Sequence, residues 1–304
     1  MRLKIVITLL IATACNGTQE TPKPYIKHAE LFTLTETVEK QLYWCDGIPT
    51  GNRKNNIDGR EHCDNGDGAY DLGLSILLGN IGDVNNFANF FNEQGQPFRA
   101  PSYVNKSTSN SFSRDQLTGF IAGATKTKNL TYLLKLKNYI DKNSKLCPDA
   151  TDNRCDLNPA MYVLMTDALG LPVTKFERGL TDDSLFLDSQ IVPGNYRAML
   201  LAYQLFIKIE QGKVSQANKN AAASLSIRFP NNLMFKTLDA VMNKKSYDPI
   251  ISGLITCLQE FKQIGGFYIF NRGNFACGND ANYWDIVALS HYVQVDHVLT
   301  EGEL

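Results

Sequence analysis

The densest polar stretch of the chain runs from Asp58 through Glu61, His62, Cys63, Asp64, Asn65 and Asp67 to Tyr70 and Asp71, and it leads into an apolar run from Leu72 to Ile81. Asp67 and Asp71 are four residues apart, so a helix that starts early places both carboxylates on one face. Two carboxylates can divide acid and base work, one held protonated while the other activates water. The competing reading makes Asp67 the N-cap of the helix beginning at Gly68, since Asp is a preferred cap. Asp64-Asn65-Gly66-Asp67-Gly68 also has calcium-ligand chemistry. With Gly68 as the turn glycine, however, Cys63 and Leu74 fall at ligand positions, which breaks the EF-hand pattern and leaves only an irregular calcium site.

A second constellation is Ser113-Arg114-Asp115-Gln116. Ser113 and Gln116 make a capping box. Asp115 falls in the first turn, where the helix dipole favours its charge and suits it to base or nucleophile work, or simply to stabilising the helix start. Arg114 can clamp an acidic group through its planar fork. A third lies at Cys277-Gly-Asn-Asp280-Ala-Asn-Tyr283-Trp284-Asp285. Tyr283 and Trp284 can stack on sugar rings with Asp285 as a partner carboxylate, or Trp284 can anchor the last helix in the core. Trp44 is a further stacking candidate. His291 and His297 are six apart and do not share a helix face, so they make no ligand pair.

Four elements of sequence set limits on the chemistry. There is no Gly-x-Ser-x-Gly elbow, no phosphate-binding Gly-x-x-x-x-Gly-Lys loop, no His-Glu-x-x-His and no Gly-x-Gly-x-x-Gly, so serine-elbow hydrolysis, P-loop chemistry, zincin proteolysis and dinucleotide binding lack their marks. No Cys-x-x-Cys pair suggests zinc, and the expectation is no metal and no cofactor apart from the calcium alternative.

The N-terminus gives the address. Arg2 and Lys4 precede the apolar Ile5–Ile11, a stretch too short to span a bilayer, and Ala12-Thr13-Ala14-Cys15 follows; it reads as a cleaved export signal. Ala14 directly before Cys15 resembles the lipobox of bacterial lipoproteins, with Ala12 where Leu or Val is usual. That resemblance implies cleavage after residue 14, a lipid on Cys15, and a membrane partner through that lipid. Asn16 rather than Asp after the lipid cysteine implies the outer membrane in a Gram-negative cell. Residues 15–27, with Pro22 and Pro24, read as a lipidated tether, and residues 28–304 as a single domain. Loss of Arg2 and Lys4 moves the formal charge from −1 to −3, which argues against a nucleic-acid partner.

Export also decides how the cysteines read. With Cys15 set aside, Cys45, Cys63, Cys147, Cys155, Cys257 and Cys277 are an even set in an oxidising compartment. Nearest-neighbour closure suggests Cys45–Cys63, Cys147–Cys155 and Cys257–Cys277, each stapling a loop.

The elements that must position these residues are helical almost throughout. Apolar spacing predicts helices near 28–44, 68–81, 84–92, 114–126, 129–142, 158–170, 182–190, 194–211, 215–227, 231–242, 248–263 and 281–298. Asn158 before Pro159 and Asp248 before Pro249 read as helix starts, and a strand pair is expected only near Gly266–Phe270. Short connections force antiparallel neighbours, so the fold class is all-α, an array of antiparallel helical hairpins with disulfide-stapled loops. The hairpin count and the acids at helix starts resemble the α/α toroid of glycoside hydrolases and polysaccharide lyases. That resemblance implies acids around a central cleft: Asp67 or Asp71 against Asp115 or Asp285, stacking from Trp44, Tyr283 and Trp284, and Arg114 on an acidic group of a polysaccharide. The alternative is a non-catalytic envelope lipoprotein that binds glycan or protein, in which the acids serve only as helix caps.

Overall fold

The computed structural model describes residues 26–41, 43–45, 47–50, 68–79, 81–104, 112–144, 146, 157–193, 196–264 and 283–301. The described chain is all-α. Its helices are α1 (Ile26–Glu39), α2 (Gly68–Gly79), α3 (Arg114–Thr127), α4 (Thr131–Asn143), α5 (Pro159–Ala168), α6 (Lys175–Ile191), α7 (Tyr196–Glu210), α8 (Gln216–Arg228), α9 (Leu233–Asn243), α10 (Asp248–Ile264) and α11 (Tyr283–Glu301). Two 3-10 helices, Val84–Phe90 and Pro101–Tyr103, lie between α2 and α3. The signal segment, the tether to residue 25 and the expected strand pair near 266–270 lie outside the described residues.

Side-chain caps set several helix starts. Asn158 accepts from the Met161 amide at 2.9 Å and Pro159 follows it into α5, so the expected cap is built. At α3, Gln116 Oε1 accepts the Ser113 N–H at 2.8 Å, the returning half of the expected box. Helix α6 begins at Lys175, seven residues before the expected start at Asp182, because Thr174 and Glu177 form a capping box of their own. The stretch expected as helix 84–92 is a 3-10 helix, capped by Asp83, whose carboxylate accepts from the Asn85 amide. The helix expected over 28–44 stops at Glu39, and a short antiparallel hairpin follows, β1 (Tyr43–Cys45) paired with β2 (Ile48–Thr50), with Trp44 opposite Pro49. Gly47 at φ +75° turns that hairpin, a backbone conformation that favours glycine.

Two helices form the interior. Every residue of α2 from Gly68 to Leu78 is buried, and α2 crosses α3 with the two backbones close together. A Cβ on Gly73 would lie 2.0 Å from the Gly119 carbonyl oxygen, and one on Gly119 would lie 2.0 Å from that of Ala69. Only glycine permits backbones this close. The other interior helix is α7, which touches α2, α3, α5, α6, α8 and α9. It buries Ala198, Met199, Leu201, Ala202, Tyr203, Leu205, Phe206, Ile207 and even Lys208. Among the described residues, α7 is thus packed between helices on several sides. The physical reason is composition: apart from a polar stripe through Arg197, Gln204 and Lys208, α7 is apolar and is covered by its neighbours. The helices α1, α10 and α11 pack together and against α2 and α9, closing the far side.

Candidate functional site

A pocket of about 520 Å³ opens where α3, α5, α6 and α7 meet, within the size range of ligand sites. The first turns of α3 and α5 contribute Ser113, Arg114, Asp115, Asn158 and Met161. The end of α6 contributes Leu185, Asp188, Ile191 and Val192. The first turns of α7 contribute Arg197, Leu200, Leu201 and Gln204. Three helix starts, at α3, α5 and α7, therefore converge on one concavity, and helix starts carry partial positive charge.

Two guanidiniums, Arg114 and Arg197, line this pocket, and neither has an ion-pair partner among the described residues. Two carboxylates line it as well. Asp115 shares the Ser113 hydroxyl proton with Gln116, at 3.1 Å and 2.7 Å respectively. Burial raises the Asp188 carboxyl above its ordinary value.

A second polar group sits in the interior, where α2, α7 and α11 meet. Tyr203 donates its hydroxyl to Asp285 Oδ1 at 2.5 Å, and its ring meets Tyr70 edge-on at 5.4 Å. Burial pushes the Tyr70 hydroxyl well above the tyrosine range, and the charges of Tyr203, Asp285, Asp71 and Asp115 push it the same way. Burial and then the Asp285 charge do the same to Tyr203. Asp71 and Asp285 are only 8% and 6% exposed. They are interior groups, and neither lines the pocket.

Of the carboxylates that the sequence reading placed in one cleft, Asp71, Asp115 and Asp285 all act on the Tyr70 hydroxyl, and of these three Asp115 lines the pocket. Asp115 and Arg114 stand at the pocket. Asp71 and Asp285 lie near one another's field, around Tyr70, but behind it. Trp44 is half-buried on β1 and does not line the pocket. Asp67 lies outside the described residues, as do the side chains of Tyr283 and Trp284. So do Cys15, Cys63, Cys147, Cys155 and Cys277, and the side chain of Cys45. His291 is satisfied by Glu39 at 2.9 Å. No group of three or more His, Cys, Asp or Glu side chains among the described residues could hold a metal ion; the stretch weighed for calcium before Gly68 lies outside them.

Asp188 and Arg197 were not singled out by motif. They flank Ile191-Val192-Pro193-Gly194, a helix break between two charged turns. That break is the only sequence signal that both side chains could turn toward one space.

No family model matches the chain, and no curated protein or solved structure is similar to it. The functional reading therefore rests on the pocket and its charges.

At the opposite end of α7 a third polar cluster ties α5, α6 and α7 together. Asp167, whose side chain is fully buried, takes Arg178 at 2.8 Å and Lys213 at 2.9 Å. Lys208 pairs with Asp182 at 3.1 Å across α7 and α6, outside good hydrogen-bond geometry. These groups join helices and do not line this pocket.

Proposed function

We propose that the chain is an exported, lipid-anchored envelope protein whose helical domain is a binding module for a ligand bearing an acidic group. The observation that carries the binding reading is the pair Arg114 and Arg197, two guanidiniums without an ion-pair partner among the described residues, lining one pocket at converging helix starts. Guanidiniums recognise carboxylate and phosphate groups by paired hydrogen bonds. Asp71 and Asp285, weighed for catalysis from the sequence, are buried, and Asp285 accepts from Tyr203.

Export rests on the lipobox resemblance at Ala14-Cys15, and the lipid on Cys15 would hold the domain at the outer membrane of a Gram-negative cell. Cys257, fully buried on α10 and disulfide-bonded, supports an oxidising compartment; Cys277 is the partner we propose for it. Among the described residues no helix is long and apolar enough to cross a membrane.

Calorimetric titration of the full chain with galacturonate and with inorganic phosphate tests the site. Binding that disappears in Arg114→Ala/Arg197→Ala, with the melting temperature unchanged, supports the reading. Failure of both anions to bind removes it.

One observation favours a second reading, a glycoside hydrolase. Asp188, raised by burial, and Asp115 line the same pocket, the pattern of an acid paired with a base. A panel of polysaccharides assayed with the native chain and with Asp188→Asn decides it. Turnover abolished by that substitution would make the module an enzyme.

A further inference from the structure

The pocket walls say more about the ligand than its charges do. Apart from the charged groups, the lining is largely aliphatic, with Met161, Leu185, Val192, Leu200 and Leu201, and no aromatic ring lines it among the described residues. An alkyl chain gains from aliphatic walls in proportion to buried area. Exposed apolar side chains recur outward along α6, with exposed Asp183 and Ser184 between Leu180 and Leu187. Ile191 lines the pocket yet is 76% exposed, and Leu187, Leu180 and Phe176 follow it along α6 at 62%, 56% and 73% exposure. At helical pitch these four fall within an arc of about 60°. The charged lining is balanced in sign, two arginines against two aspartates, which does not suit a purely anionic head.

Building on the binding reading above, we propose that the pocket takes a single-chain amphiphile with a zwitterionic head. A phosphate sits against Arg114 and Arg197, and an ammonium sits against Asp115 and Asp188. The acyl chain lies on the aliphatic wall and leaves over Ile191 along α6.

The test is titration of the full chain, below micelle concentrations, with lysophosphatidylethanolamine, lysophosphatidylglycerol and phosphoethanolamine. The zwitterionic lysolipid should bind tightest, its affinity rising by up to about fourfold for each methylene added to its chain. Arg114→Ala/Arg197→Ala should weaken both lysolipids, whereas Asp188→Asn should weaken only the ethanolamine form. Ile191→Asp, at an exposed position, should reduce the dependence on chain length without lowering the melting temperature. If phosphoethanolamine binds as tightly as its lysolipid, the chain is not engaged and the proposal falls. Equal affinity for the two lysolipids overturns the zwitterionic head. If galacturonate or phosphate binds through the arginines while neither lysolipid does, this proposal fails and the acidic-ligand reading stands. If no probe binds, both fail.

Discussion

Tyr203 on α7 donates its hydroxyl to Asp285 on α11 at 2.5 Å, and both residues are buried. This contact fastens α11 to α7. Tyr203→Phe keeps the ring packing against Tyr70 and removes the donor. The expected loss is about 1–3 kcal/mol, the range for a buried hydrogen bond to a charged group, read by urea unfolding. A loss below about 0.5 kcal/mol would show that Asp285 does not depend on this donor.

The same pair gives an alkaline signature. Burial holds both Tyr70 and Tyr203 well above the tyrosine range, while tyrosines of the unfolded chain ionise near pH 10. Above that pH the native state holds more protons than the unfolded state. Stability is therefore full below about pH 10 and falls as pH rises toward the folded values. Unfolding curves taken in alkali should show a steep fall in the native chain and a shallower one in Tyr203→Phe. Parallel slopes would contradict the assignment.

Acid should act on a different residue. Burial alone would raise the Asp167 carboxyl, but its hydrogen bonds to Arg178 and Lys213 outweigh burial and hold it below the usual value. A carboxyl lowered in the folded state stabilises above its unfolded value and loses that stabilisation as pH falls through the folded one. Asp167→Asn should flatten the acid limb of the stability profile. At neutral pH it should cost about 1–3 kcal/mol, since both cations keep some access to water. An acid limb unchanged in the variant would rule Asp167 out as its source.

Lys208 is fully buried and its ion pair with Asp182 joins α6 to α7. Lys208→Met alone strands the buried Asp182 and should cost about 3–5 kcal/mol, whereas Lys208→Met/Asp182→Leu should recover most of that. A double variant no more stable than the single one would show that the pair is not what the site requires.

The α2–α3 crossing makes the sharpest stability prediction. Gly119→Ala would place a Cβ 2.0 Å from the Ala69 carbonyl oxygen, and backbone cannot yield as a flexible side chain does. The cost should exceed about 3 kcal/mol, above the usual range for overpacking, so the variant should fold poorly or melt far lower. Gly179→Ala on α6, with nothing within 4 Å of the new Cβ, is the control and should be neutral or stabilising by up to about 1 kcal/mol. Similar melting of both variants would refute the close crossing.

Much of the secondary structure was legible in the sequence because local rules govern it. Apolar spacing marks α3, α4, α8 and α9 to within a few residues, and the Asn158 cap and the Ser113–Gln116 box are local hydrogen bonds among near neighbours. The early start of α6 was missed where a Thr174–Glu177 box outweighed weak apolar spacing. Arg114 and Asp115, singled out from the sequence as first-turn residues of α3, both line the pocket.

By itself, then, the sequence determined the all-α class, most helix positions, the capped starts, and Arg114 and Asp115 as candidates. Only the tertiary structure decided that α7 is packed among its neighbouring helices, that Asp71 and Asp285 are interior, and that Arg197 and Asp188 line one pocket with Arg114 and Asp115. The reason is physical. Helix formation depends on neighbours three and four residues away, which sequence displays. The meeting of residues 114, 188 and 197 depends on how apolar faces of separate helices pack, and on the glycine pair that lets α2 and α3 approach so closely. No local pattern encodes those contacts.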